Sequence, residues 1–217
     1  MSDFDSPLQA YANQHTAPEP PLLHQLWRET HLQLLMPRMA TGHWQGRLLS
    51  LLSHLLRPSR ILEIGTFTGY ATLSLAEGLA PNGGHLHTIE INPERESRIR
   101  RYVAAAGLAG RVSLHIGDAR DVLAGLVGEV WDLVFIDADK LHNARYFELV
   151  ISQVRSGGLV VVDNVLWGGK ALPAYPLKAN DHDTRAVRAF NEQVRHDPRV
   201  VPLLLPVRDG LLLLRKI

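Results

Sequence analysis

The chain has no cysteine. Disulfides, thiolate catalysis and thiolate zinc sites are therefore excluded. No apolar run approaches the roughly 20 residues that a membrane span needs. The first residues carry Asp3 and Asp5 and no basic stretch leading into an apolar one, so they do not read as a signal peptide. The expectation from these absences is a soluble, cytoplasmic protein with no membrane partner. Net charge is also scarce, formally +1 at pH 7, so no strong global field points to nucleic acid. Arg95, Arg98, Arg100 and Arg101 do cluster on one predicted helix. A solvated helix face is the plainer reading of that cluster. There is no internal repeat and no low-complexity tract.

What is present fits one α/β domain. The chain has 217 residues and a hydrophobic content of 46%, enough for a real core. Residues 1–57 read as an N-terminal helical extension and 58–217 as a Rossmann-like core. Residues 1–17 are polar and weakly patterned. Pro20-Pro21 then sits where a helix begins. Leu22, Leu23, Leu26, Leu34 and Leu35 suggest an amphipathic helix ending before Pro37. A second helix is predicted from about 43 to 56, with Leu48, Leu49, Leu52, Leu55 and Leu56 on its apolar face. From Arg60 the rhythm changes. Short apolar runs at 61–64, 85–91, 112–116, 133–136 and 159–162 alternate with helical segments near 69–80, 93–106, 119–126 and 143–154. This alternation predicts a doubly wound, parallel sheet with right-handed crossovers. A helix near 183–196 leads to Val200–Leu205 and Leu211–Leu214, and Asp209-Gly210 between them signals an antiparallel hairpin. Residues 168–183 read as a long loop, and long loops in compact domains are often functional.

Two of the strands end abruptly in hard oxygen donors. One reads Val134-Phe135-Ile136-Asp137-Ala138-Asp139-Lys140, the other Leu159-Val160-Val161-Val162-Asp163-Asn164-Val165-Leu166-Trp167. Ligands of open α/β sheets bind beyond the carboxyl ends of the strands. Asp137, Asp163 and Asn164 are therefore expected to converge, with Lys140 beside them. The first strand runs into Glu63-Ile64-Gly65-Thr66-Phe67-Thr68-Gly69-Tyr70. This G-x-x-x-G spacing is not the G-x-G-x-x-G of a dinucleotide fingerprint, whose pyrophosphate sits on the helix N-terminus. The acidic residue before it disfavours a phosphate and suits a cation or hydroxyls. S-adenosylmethionine, which has an ammonium, a sulfonium and no phosphate, fits better than NAD. Glu90 ends the second strand and suits two ribose hydroxyls. Asp118, in Gly117-Asp118-Ala119, suits an adenine amino group. Each of these acids alone also reads as a helix cap or a solvated side chain.

Taken together, the Glu63–Tyr70 loop, Glu90, Gly117-Asp118-Ala119, Phe135–Lys140 and Asp163–Trp167 resemble the cation-dependent class I O-methyltransferases, the group containing caffeoyl-CoA and catechol O-methyltransferases. The resemblance spans most of residues 35–217. It implies a seven-stranded sheet with an antiparallel last strand, in a homodimer. It implies that Asp137, Asp163 and Asn164 bind a divalent cation, Mg²⁺ before Mn²⁺ or Ca²⁺, and that Lys140 is the general base. It implies that Glu63, Gly65, Thr66, Glu90, Asp118, Ala119 and Asp137 hold the methyl donor, with Met39 as an N-terminal contact. One departure stands out: Ala71 occupies the position of a serine that helps hold the donor's carboxylate. Backbone amides, or the adjacent Thr72, are the available substitutes.

These residue types suit the chemistry. Two carboxylates and an amide oxygen make a hard site for Mg²⁺, Mn²⁺ or Ca²⁺ rather than zinc. Such an ion acts on an acceptor hydroxyl as Lewis acid and template. A lysine held beside a cation in a pocket loses preference for its ammonium form, which suits a base. The competing reading of Lys140 is a surface salt bridge to Asp139 or Glu148, and of Asp137 and Asp163, helix caps. Asp139 reads either as orienting Lys140 or as touching the donor. The Asn180–Asp183 cluster reads as a cap before Thr184. The leading function is methyl transfer to a small acceptor with vicinal hydroxyls, of catechol or caffeoyl type. The alternatives are 5-hydroxyuridine methylation in tRNA, known among bacterial relatives of the family, a non-catalytic donor-binding protein, and a Rossmann dehydrogenase lacking its phosphate loop.

Overall fold

A computed structural model describes residues 7–217; Asp3 and Asp5 lie outside them. Helices α1 (Pro7–Gln14), α2 (Pro21–Gln33) and α3 (His43–Leu56) come first. They lead into β1 (Arg60–Ile64), α4 (Tyr70–Ala76), β2 (His85–Glu90), α5 (Glu96–Ala105), β3 (Val112–Ile116), α6 (Ala119–Ala124), β4 (Trp131–Ile136), α7 (Asn143–Val150) and β5 (Val154–Asp163). The chain ends with α8 (His182–Arg195), β6 (Val200–Leu205) and β7 (Leu211–Lys216).

The strands form one seven-stranded sheet in the order β3-β2-β1-β4-β5-β7-β6. The pairings β1–β2, β1–β4, β2–β3 and β4–β5 are parallel, while β7 runs antiparallel to both β5 and β6. The expected antiparallel last strand and its hairpin are both present. Alternate residues of the central strands feed two cores, as burial on both faces of a parallel sheet requires. Ile61, Leu86, Leu133, Phe135 and Val161 pack with α2 to α5, while Leu62, Ile64, Val134, Ile136 and Val160 pack with α6 to α8. The sheet is thus doubly wound, and strand order reverses between β1 and β4, the switch point where such folds bind ligands.

Several boundaries differ from the sequence reading. Residues 7–14 are helical, where the sequence is only weakly patterned. The helix α2 stops at Gln33 because Leu34 is extended, and Leu35 is fully exposed. The helix α3 buries Gln45, Gly46, Leu49, Ser50 and Ser53, and Leu55 of the predicted apolar face is 74% exposed. Close packing explains this. A Cβ at Gly46 would collide with the Tyr70 ring and one at Gly78 with the Ser53 backbone. Ser53 Oγ also donates to the Leu75 carbonyl at 2.6 Å. A seam of small residues faces α4, and leucines fall on its flanks. The strand β5 begins at Val154, five residues before its apolar run, across a register shift opposite Trp131 and Leu133.

Candidate active site

Five parallel strands deliver their carboxyl ends to one edge. Ile136 pairs with Val162, so the next residues, Asp137 and Asp163, leave neighbouring strands side by side. Asp163 also pairs with Leu211, which brings the β6–β7 turn to the same place. Lys140 follows in a single 3-10 turn, only 7% exposed, with Nζ 3.3 Å from Asp137 Oδ1. It meets neither Asp139 nor Glu148. Asp139 pairs with His142 and accepts from the Tyr146 hydroxyl at 2.7 Å, and Glu148 pairs with Arg199. The surface salt-bridge reading of Lys140 is therefore wrong: a nearly buried ammonium faces the carboxylate three residues before it.

Asp163 is 5% exposed and caps no helix. Its Oδ1 accepts from the Asn164 backbone N–H at 2.6 Å, and its Oδ2 from Gln45 Nε2 at 2.7 Å. Burial, then the adjacent Asp137 carboxylate, raises its proton affinity; Lys140, Gln45 and Arg208 oppose that rise. Asn164 has a left-handed backbone, φ 60°, a conformation that asparagine tolerates better than most residues. The Asn164 side chain lies near the Asp209 carboxylate and lowers its proton affinity; its amide oxygen is a hard donor suited to a cation. Among the described residues no group of three or more His, Cys, Asp or Glu side chains is placed to hold a metal; this set comprises two carboxylates and an amide. Its chemistry fits a hard divalent cation, because a buried carboxylate, Asp163, stands beside the half-buried Asp137 carboxylate and all three donors are oxygens.

The donor half begins at Gly65, whose φ of 100° and close approach to the Asp137 carbonyl exclude a Cβ. Met39, Gly65, Thr66 and Asp137 line one crevice, together with Phe67, Thr68 and Ala71. Glu63 lies beneath it, fully buried, accepting from the hydroxyls of Thr72 and, at 2.6 Å, Thr88. Burial pushes its carboxyl up to about 8. Thr72 is thereby engaged with Glu63 and does not stand in for the serine that Ala71 replaces. Glu90 accepts from the backbone N–H groups of Phe67 (2.7 Å) and Asn92 (2.9 Å) and from Arg95 (2.9 Å). It thus ties the glycine loop to the end of β2. Asp118 caps α6 through the Arg120 N–H at 2.8 Å and pairs with the Arg120 guanidinium. Ala119 is buried directly after it. The cap reading of Asp118 holds, and so does that of Asp181, which accepts from the Thr184 N–H at 3.1 Å.

The arginine cluster does not form a bare cationic patch. Arg95 pairs with Glu90, Arg98 and Arg101 with Glu29, and Arg100 with Glu96. Those pairs partly neutralise the cluster, which weakens the feature that favoured a tRNA substrate. Gln45, Arg208 and Asp209 are the site residues that sequence reasoning missed. One signal for Gln45 was available: it lies one turn before Leu48 and Leu49, a polar residue on an apolar stripe.

Known proteins resemble this chain in sequence and fold. A family model described as O-methyltransferase matches residues 13–217. A catechol O-methyltransferase of Mycobacterium tuberculosis is 39% identical over 163 residues, 75% of this chain and 72% of that protein. Caffeoyl-CoA O-methyltransferase 2 of Petunia hybrida is 34% identical over 187 residues, 82% of this chain and 77% of that protein. The crystal structure of an O-methyltransferase from Bacillus cereus in complex with S-adenosylhomocysteine superposes with a TM-score of 0.88 at 29% identity, covering 100% of both chains. With the strand-end acids and the glycine loop in the expected places, the chain belongs to this family of S-adenosylmethionine-dependent O-methyltransferases.

Proposed function

We propose that the protein methylates one of two neighbouring hydroxyls on a small acceptor of catechol or caffeoyl type, with a divalent cation, Mg²⁺ foremost, held by Asp137, Asp163 and Asn164. The observation that carries this reading is the buried Lys140 Nζ against Asp137, beside Asp163, at the edge where the donor loop also ends. S-adenosylmethionine, when bound, supplies an electrophilic methyl group on a sulfonium. A divalent cation, when bound, supplies Lewis-acid lowering of a hydroxyl's pKa and a template for two adjacent oxygens.

The remaining chemistry belongs to the side chains. Lys140, in its neutral form, takes the acceptor's proton at Nζ. The acceptor oxygen freed of its proton would be the nucleophile for the methyl group that a donor held along the Gly65–Asp137 crevice would supply, S-adenosylhomocysteine being the product that would leave. Asp137 lies between the two halves, touching Lys140 and lining the donor crevice, so it aligns donor and acceptor for in-line transfer. Gly65 allows backbone approach, Glu90 and Asp118 offer carboxylates to the ribose and the adenine, and Met39 closes the crevice from the N-terminal side. The protein is proposed to work as a homodimer, as its family resemblance implies.

The test is methyl transfer to a panel of catechols and caffeoyl esters with and without a chelator. Activity that survives complete metal removal overturns the cation-dependent mechanism. Activity restored by Mg²⁺ and restricted to vicinal diols supports it.

A further inference from the structure

The oxygen donors of the proposed acceptor site are held by residues far from them in sequence. Gln45, at the start of α3, is 1% exposed. Its Nε2 donates to Asp163 Oδ2 at 2.7 Å, and its Oε1 accepts from an Arg208 guanidinium N–H at 2.9 Å. A guanidinium only donates and a carboxylate only accepts, so the amide has one permitted orientation. Arg208 is itself anchored, reaching the Ala40 carbonyl at 3.4 and 3.5 Å. Its backbone is left-handed, φ 51°, a conformation that persists only where the surroundings impose it. The next residue, Asp209, accepts from the Gly168 N–H and lies near the Asn164 side chain. Behind the turn, a Cβ at Gly210 would collide with Leu166, so turn and loop are closely packed.

We propose that Gln45, locked by Arg208, is a positioning residue that fixes Asp163 for cation binding, with the β6–β7 turn as its anchor. It touches neither donor nor acceptor, and it acts through the Asp163 carboxylate. This inference rests on the cation reading above and extends it by assigning α3 and the turn a share in cation affinity.

The experiment measures Mn²⁺ binding to the full-length protein by electron paramagnetic resonance, and S-adenosylhomocysteine binding by calorimetry. Variants are Gln45→Met, which keeps length and loses both hydrogen bonds, Arg208→Met, and Asp163→Asn. Circular dichroism melting reports folding. Supporting residues of metal ligands are typically worth about 10- to 100-fold in affinity, so Gln45→Met is expected to weaken Mn²⁺ by at least about tenfold, with S-adenosylhomocysteine affinity unchanged within about twofold. Arg208→Met is expected to weaken Mn²⁺ in the same sense, and the double variant by less than the product of the two, because both act on one carboxylate. Should Gln45→Met not fold, Arg208→Met carries the comparison. Unchanged Mn²⁺ affinity in the folded variant overturns the proposal, as does an equal loss of both ligands, which would mark a general distortion. Mn²⁺ affinity retained in Asp163→Asn would instead show that the cation reading itself is wrong.

Discussion

At the residue scale the site turns on two buried ionisable side chains with different tasks. Lys140 is held against Asp137 with little access to water, and in the proposed mechanism it acts on proton transfer and not on donor binding. Lys140→Met is expected to lower turnover by about 10²- to 10⁴-fold, the usual worth of a general base. S-adenosylhomocysteine affinity should stay within about twofold. Steady-state rates and calorimetry decide it, and turnover within tenfold of the parent would remove the base assignment while leaving the oxygen set intact. Glu63 presents the opposite case. Its carboxyl is raised from 4.5 to about 8 by burial, only partly opposed by two threonine hydroxyls. The folded chain therefore holds a proton that the unfolded chain releases above about pH 4.5. Stability is greatest below that pH and declines as pH rises toward 8, by at most about 1.4 kcal/mol per pH unit. Glu63→Gln removes this term. Its melting temperature, measured relative to the parent, should rise between pH 5 and pH 8; parallel curves would show that Glu63 is not a buried neutral acid. One Glu63 oxygen has no hydrogen-bond partner, an arrangement that costs less for a neutral carboxyl than for a carboxylate.

At the element scale one side chain ties together the middle of the loop between β5 and α8. The Arg188 guanidinium donates to the carbonyls of Lys170, Leu172 and Tyr175, at 2.6 to 3.1 Å. Arg188→Ala is expected to free the loop while costing the whole fold only about 1–3 kcal/mol. Limited proteolysis should then cut between residues 170 and 180 faster than in the parent, with S-adenosylhomocysteine binding preserved. Equal cleavage rates would show that other contacts hold the loop. Such clasps mark the border of what the sequence displays. Asp137, Lys140, Asp163 and Asn164 were legible because parallel strands put their carboxyl ends on one edge, so a local motif at each strand end already locates the group. Gln45 and Arg208 were not, because the bonds that define them join residues 118 and 163 positions apart. The buried face of α3 was misread for a related reason. Periodicity selects leucines, whereas the contact with α4 is so close that serine and glycine fill it. Glu90 was found as a strand-end acid, yet its bond to the Phe67 N–H depends on a loop conformation with φ 53° at Phe67 that sequence pattern does not announce.

At the scale of the whole molecule, one sheet edge carries exposed apolar side chains. The strand β6 has only β7 as a neighbour, and Val201, Leu203 and Leu204 on it are exposed, Leu203 by 56%. Beside it Leu204, Pro202 and Leu212 line an apolar groove of about 630 Å³ with Val194 and Pro173. An open edge bearing apolar side chains is a liability unless something covers it. The proposed homodimer supplies a cover of the same chemistry, a second copy of this face. Pro202 has no N–H, so it interrupts any ladder that would extend the sheet across the edge. Association there is accordingly expected through side chains. Replacing both Val201 and Leu203, the most exposed of these side chains, with lysine should change monomer stability by no more than about 0.5 kcal/mol per site. It places like charges on both sides of a two-fold contact, where each meets its own copy. Light scattering at micromolar concentration should then show the parent at twice the 24.2 kDa chain mass and the variant at that mass. A parent that is already monomeric removes the dimer, and a variant that stays dimeric moves the interface to another face.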